Sequence, residues 1–167
     1  MFAAREPSDI DRFFRGLTEY AFHTRLGVVD PPLVEYVSRL LVKFVRNDEI
    51  PLPPATVADE GRDLAHLLMA ARQRAADEAR EEYRHIGDST LFWSGLYPEA
   101  IRRQPSVAAE EHLRAFREAG RQAYWLVSAL EPDDAAEDRL LFERLSHDYD
   151  ICVEGLAEVR RAWGDAA

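Results

Sequence analysis

Apolar side chains recur along this chain at the three- and four-residue spacing of an α-helix, and the pattern predicts helices from near its start to near its end. Ile10, Phe13, Phe14, Leu17 and Ala21 form the first stripe. Ser8 stands at the N-cap position with Asp11 three residues on, and Gly27 supplies a C-terminal stop. Asp30-Pro31 reads as a second cap followed by a first-turn proline, leading into Leu33, Val37, Leu40, Leu41 and Phe44. Val34, Val42 and Val45 widen that band, so the second helix is expected to be central and covered on more than one side.

Pro51, Pro53 and Pro54 forbid a helix across residues 47–56 and predict an extended connector. A long third helix is predicted over 57–86, with Leu64, Leu67, Leu68, Ala71, Ala75 and Ala79 on one stripe. Gly87-Asp88 reads as a stop and a new N-cap, opening a short aromatic helix through Leu91, Phe92, Trp93 and Leu96 that ends before Pro98. Pro105-Ser106 begins a helix carrying Leu113, Phe116, Gly120, Ala123, Tyr124 and Val127. The acidic loop 131–138 separates it from a last helix with Leu141, Leu145, Tyr149, Cys152, Leu156, Val159 and Trp163. No strand-like alternation of useful length and no internal repeat breaks the pattern. The expected architecture is all-α: a single-domain bundle of about six helices over residues 1–167, one of them short and aromatic.

Composition supports a folded chain. With 47% hydrophobic residues and only 8 Gly and 9 Pro among 167, there is enough apolar surface to bury a core. The net charge of -10 argues against a nucleic-acid partner, because phosphate binding needs clustered cations. Lys is almost absent, and Arg alternates with Glu and Asp as on solvated helix faces. Cys152 is the only cysteine, which excludes an intrachain disulfide and two-thiolate zinc patterns. Residues 1–11 lack the basic and apolar regions of a signal peptide, and no run approaches the roughly 18 apolar residues of a membrane span. A cytoplasmic location without membrane contact is expected.

Polar residues carry information where the helical pattern turns them inward, because a buried ionisable group needs a partner. Glu19 with His23, Asp63 with His66 and Glu143 with His147 have suggestive spacings but fall off the apolar stripes, as solvated surface does. Glu82 and His85 instead continue the stripe of Leu64, Leu68 and Ala75, and Asp148 lies on the side of Leu141, Leu145 and Cys152. If those helices are neighbours, Glu82, His85, Asp88 and Asp148 form a polar cluster. Glu-x-x-His with further carboxylates is the ligand pattern of metal-carboxylate bundles, but the second such pair and two more glutamates that a di-iron site needs are missing. The bland alternative is a hydrogen-bonded or Arg-paired cluster at a helix junction, so no metal or cofactor is expected, and Glu82, His85 and Asp148 remain the ligands to check.

The aromatic segment poses a similar choice. Phe92 and Leu96 suit the core, whereas Trp93, Tyr97, Tyr124 and Trp125 could line a groove or a contact surface. Cys152 sits mid-stripe, where a small core residue is expected, and neither a Gly-x-Ser-x-Gly elbow nor a Gly-rich nucleotide loop occurs.

Residues 87–98, Gly-Asp-Ser-Thr-Leu-Phe-Trp-Ser-Gly-Leu-Tyr-Pro, followed by Gly120-Arg-Gln-Ala123-Tyr124, resemble a group of bacterial all-helical proteins. These share a Gly-Asp-x-x-Leu-Phe-x-Ser-Gly-aromatic-Pro signature and a later Gly-x-x-Ala-Tyr. The resemblance covers mainly residues 87–130 and implies a bacterial cytosolic helical domain, without an established activity to transfer. Two functional readings remain open. The first is a non-enzymatic interaction or regulatory module with a protein partner, including a second copy as a homodimer, near Trp93. The alternative is a metal-carboxylate or small-ligand enzyme using His85 as ligand or base.

Overall fold

A computed structural model describes residues 8–47, 51–52, 62–102 and 107–166, and every regular element among them is helical. The first helix, α1 (Asp9–Glu19), begins with a full capping box: the Asp11 backbone N–H donates to Ser8 Oγ, and the Asp11 carboxylate accepts from the Ser8 N–H. It continues as a π-helical segment, Tyr20–Arg25, and stops at Gly27, whose φ of 67° is left-handed. Asp30 then caps α2 (Pro31–Val45) by accepting from the Leu33 N–H at 3.3 Å. Leu33, Val34, Val37, Leu40, Leu41 and Phe44 are all buried, so α2 is covered over a wide arc as its sequence predicts.

The middle of the chain departs from expectation. The predicted 57–86 helix is two elements, α3 (Arg62–Ala71) and the first part of α4 (Ala76–Leu96); residues 57–61 lie outside the described ones. Nothing in Arg72-Gln73-Arg74-Ala75 breaks a helix locally. Packing does so instead: α3 folds back on α4, Leu64 and Ala71 join Ala79 and Tyr83 in the core, and Tyr83 Oη donates to the Leu68 carbonyl at 3.3 Å. The predicted stop at Gly87-Asp88 does not exist either. Both residues are buried inside α4, and the aromatic helix is simply its C-terminal half.

Pro98 opens a single-turn α5 (Pro98–Ile101), followed by α6 (Val107–Leu130); the proposed start at Pro105-Ser106 lies outside the described residues. The expected last helix is also two, α7 (Ala136–His147) and α8 (Tyr149–Ala166), with the kink at Asp148. Eight α-helices are therefore described where about six are expected. No described helix is long and apolar enough to cross a membrane.

The element α4 is the hub. Its largest interface is with α6, which in turn folds onto α7 through the short turn at 131–135, and α8 covers another side. The pair α1–α2 completes the body, with α1 and its π segment also touching α8. One continuous core contains Phe14, Leu33, Leu64, Leu91, Tyr124, Leu145 and Leu156, one from each of seven of these helices. Ile10 and Phe13 are the exceptions to the first stripe: they remain 42% and 43% exposed while Phe14 and Ala21 are buried.

Candidate functional site

The chemistry of the molecule concentrates at Asp88, which is 2% exposed at the middle of α4. Its helix has no backbone group left to be capped, so the carboxylate is used for tertiary bonding. Tyr36 of α2 and Tyr124 of α6 both donate their hydroxyls to Oδ1, at 2.6 and 2.8 Å. Lys43 Nζ lies 3.7 Å and Arg84 Nε 3.9 Å from Oδ2. The Arg84 Nε–H also donates to Tyr36 Oη at 3.3 Å, making a chain from guanidinium through phenol to carboxylate. Lys43 is the only lysine in the sequence, and it stands at the only charged residue among the buried ones described.

Burial pushes the Asp88 carboxyl above the ordinary carboxylate range, while the two phenols and then Lys43 and Arg84 pull it back. Tyr36 and Tyr124 are pushed well up, first by burial and then by the adjacent carboxylate. His85, half-buried on the same helix, is lowered by burial against the pull of Asp88. The arrangement holds protons on both phenols and satisfies the carboxylate from three helices.

The close packing that brings these groups together depends on glycine. A Cβ on Gly87 would fall 2.7 Å from carbons of the Tyr124 ring, so the bare backbone of α4 is the surface on which that ring lies. At Gly120, one turn before Tyr124 on α6, a Cβ would meet Thr90 Oγ1 at 2.0 Å and Tyr149 Oη at 2.5 Å. The Gly-Asp of α4 and the Gly-x-x-Ala-Tyr of α6 are thus two halves of one interlock. Beside it, the hydroxyls of Ser94 and Tyr149 are fully buried near Thr90, and burial pushes the Tyr149 phenol up.

The residues singled out in the sequence separate into distinct places. Glu82, His85 and Asp88 lie along α4, but Glu82 is half-exposed and pairs with Arg74 at 3.2 Å. Asp148 sits at the α7–α8 kink, where it faces His147 Nδ1 at 2.9 Å; among the described residues no hydrogen bond or ion pair joins it to Glu82, His85 or Asp88. Among the described residues no group of three or more His, Cys, Asp and Glu side chains could hold a metal ion. Glu19, His23, His66 and His147 are exposed, Glu143 is partly so, and the Asp63 side chain lies outside the described residues.

The aromatic set divides too. Tyr124 is fully buried, because its ring packs on Gly87 and its hydroxyl serves Asp88, so it is core and cannot line a surface. Trp93 is half-buried between Phe92 and Tyr97, with ring centroids at 5.4 and 5.9 Å. Tyr97 is 37% exposed under the Arg160 guanidinium, and Trp125 is 54% exposed on the outside of α6. Sequence reasoning missed Tyr36, Lys43 and Arg84. Tyr36 was the readable one, a hydroxyl inside the wide apolar band of α2.

No protein-family model, curated protein or solved structure matches this chain.

Proposed function

We propose that the chain is a non-enzymatic helical module that acts through protein contact, and that the outer face of α1 is the contact surface. The observation that carries this reading is the stripe Ile10, Phe13 and Tyr20, which stays 42–48% exposed along one side of α1 and its π extension. Large apolar side chains left together in water cost free energy that a partner would recover, and contiguous patches of this kind mark interaction sites. Nearby, Phe13 is backed by Phe14 at 5.3 Å and Phe14 by Trp163 at 5.1 Å, so the patch stands on a rigid aromatic base. The Asp88 cluster supports the same reading from the other direction. Its donors and acceptor are matched to one another inside the core, which is the role of a structural pin rather than of a group awaiting substrate.

The test places a photoreactive benzoylphenylalanine at Phe13 in the living cell, with the same probe at exposed Glu111 on α6 as the control. Covalent protein adducts are expected from position 13 and not from 111. A probe at 13 that yields no adduct removes the reading.

A further inference from the structure

We infer that the partner of the α1 face is a second copy of this chain, bound antiparallel about a two-fold axis beside Gly16. This rests on the contact reading above and adds the partner's identity.

The argument comes from the layout of α1. At about 100° per residue, Ile10, Phe13, Leu17 and Tyr20 line one side of its exposed arc. Arg12 and Glu19 line the other side, toward α2, where they border grooves shared with Glu35. Gly16 lies between the two rows, is exposed, and has nothing within 4 Å of where its Cβ would be, so another backbone can approach there.

A two-fold axis perpendicular to two antiparallel helices keeps like edges on the same side and pairs residues whose numbers have a constant sum. With the axis between Arg15 and Gly16, each Arg12 meets the other copy's Glu19, and each Phe13 inserts between the other copy's Leu17 and Tyr20. Both rows are then matched by one operation.

The charges are available for this. Arg15 is engaged by Glu35 and Arg46 by Asp11, whereas Arg12 and Glu19 are exposed and carry no ion pair among the described residues. A protein of net charge -10 repels its own copies at long range, so self-association needs a locally balanced face, and α1 presents one. An 11-residue helix is only about 16 Å long, so the interface is small and the dimer is weak and concentration-dependent.

The experiment is sedimentation velocity of the full chain at rising concentration, up to about 10⁻⁴ M. The expected result is a shift from one copy to two. Arg12→Glu and Glu19→Arg should each lower the association constant at least about tenfold, because every substitution acts twice in a symmetric dimer. The double variant R12E/E19R should restore it, which also shows that the single variants had not misfolded. A monomer at every concentration overturns the inference, as does a dimer indifferent to these exchanges. If adducts at position 13 contain only other proteins, the contact reading stands and the second copy does not; if there are no adducts, both go.

Discussion

At Gly120 and Gly16 the same added methyl group has opposite consequences. Gly120→Ala would drive a carbon against the buried Thr90 and Tyr149 hydroxyls, and neither neighbour can move without disturbing α4 or α8. The expected cost is about 1–3 kcal/mol of unfolding free energy, read by urea denaturation. Gly16→Ala meets open space and should instead stabilise by about 0.5–1 kcal/mol, the helix-propensity gain. Equal effects at the two sites would contradict the packing described. Asp88 gives a second contrast. Asp88→Ala leaves two buried phenols and two cations without their common partner and should cost about 3–5 kcal/mol, whereas Asp88→Asn keeps one acceptor oxygen and should cost less.

The pH dependence of that residue has a definite sign. Because burial raises the Asp88 carboxyl in the folded state, its contribution is fully present below the unfolded value of 3.8 and is lost as pH rises through the folded one. The wild type should therefore gain on Asp88→Asn as the pH falls from neutrality toward 4, measured as the difference between their denaturation midpoints. Glu35 and Glu99 act oppositely, since Arg15 and Arg160 hold them below 4.5, but they are common to both proteins and cancel in the difference.

At the scale of elements, caps and prolines were legible and interruptions were not. The Ser8–Asp11 box, the Asp30-Pro31 start and the Gly27 stop are local chemistry, and each is found where the residues place it. Asp30 does more than its local role shows: while capping α2 it also holds Arg144 of α7 at 2.8 Å. Asp30→Ala should cost about 1–2 kcal/mol in chemical denaturation, and Asp30→Asn, which can still cap, markedly less. A similar loss for both would assign the whole effect to the ion pair. The breaks at residues 72–75 and at Asp148 have no local breaker, while Gly87-Asp88, the best-looking break in the sequence, is helical. In each case the gain from burying a side chain such as Tyr83, Tyr124 or Tyr149 exceeds the ~1 kcal/mol at stake in backbone preference.

Across the whole molecule, one core ties the helices together, and Cys152 reports on it. The thiol is fully buried, and burial, then Asp148 and Asp30, push its proton affinity up. A thiol-specific disulfide reagent at about pH 8 should label the native protein only as fast as the core opens, and the unfolded protein at once. Rapid native labelling would mean that α8 does not pack as described. Labelling should slow on stabilising the core with Gly16→Ala and quicken with Gly120→Ala.

The amino-acid order alone determined that the chain is helical, where α1 and α2 begin, and which side chains seek the interior, because cap chemistry and apolar periodicity act over one or two turns. Only the tertiary structure decided that Asp88 is a pin between Tyr36 and Tyr124, that Asp148 stands apart from it, and that Ile10 and Phe13 stay outside. Those outcomes depend on which helices become neighbours, and neighbours 36 or 52 residues apart leave no trace in a pattern that repeats every three or four.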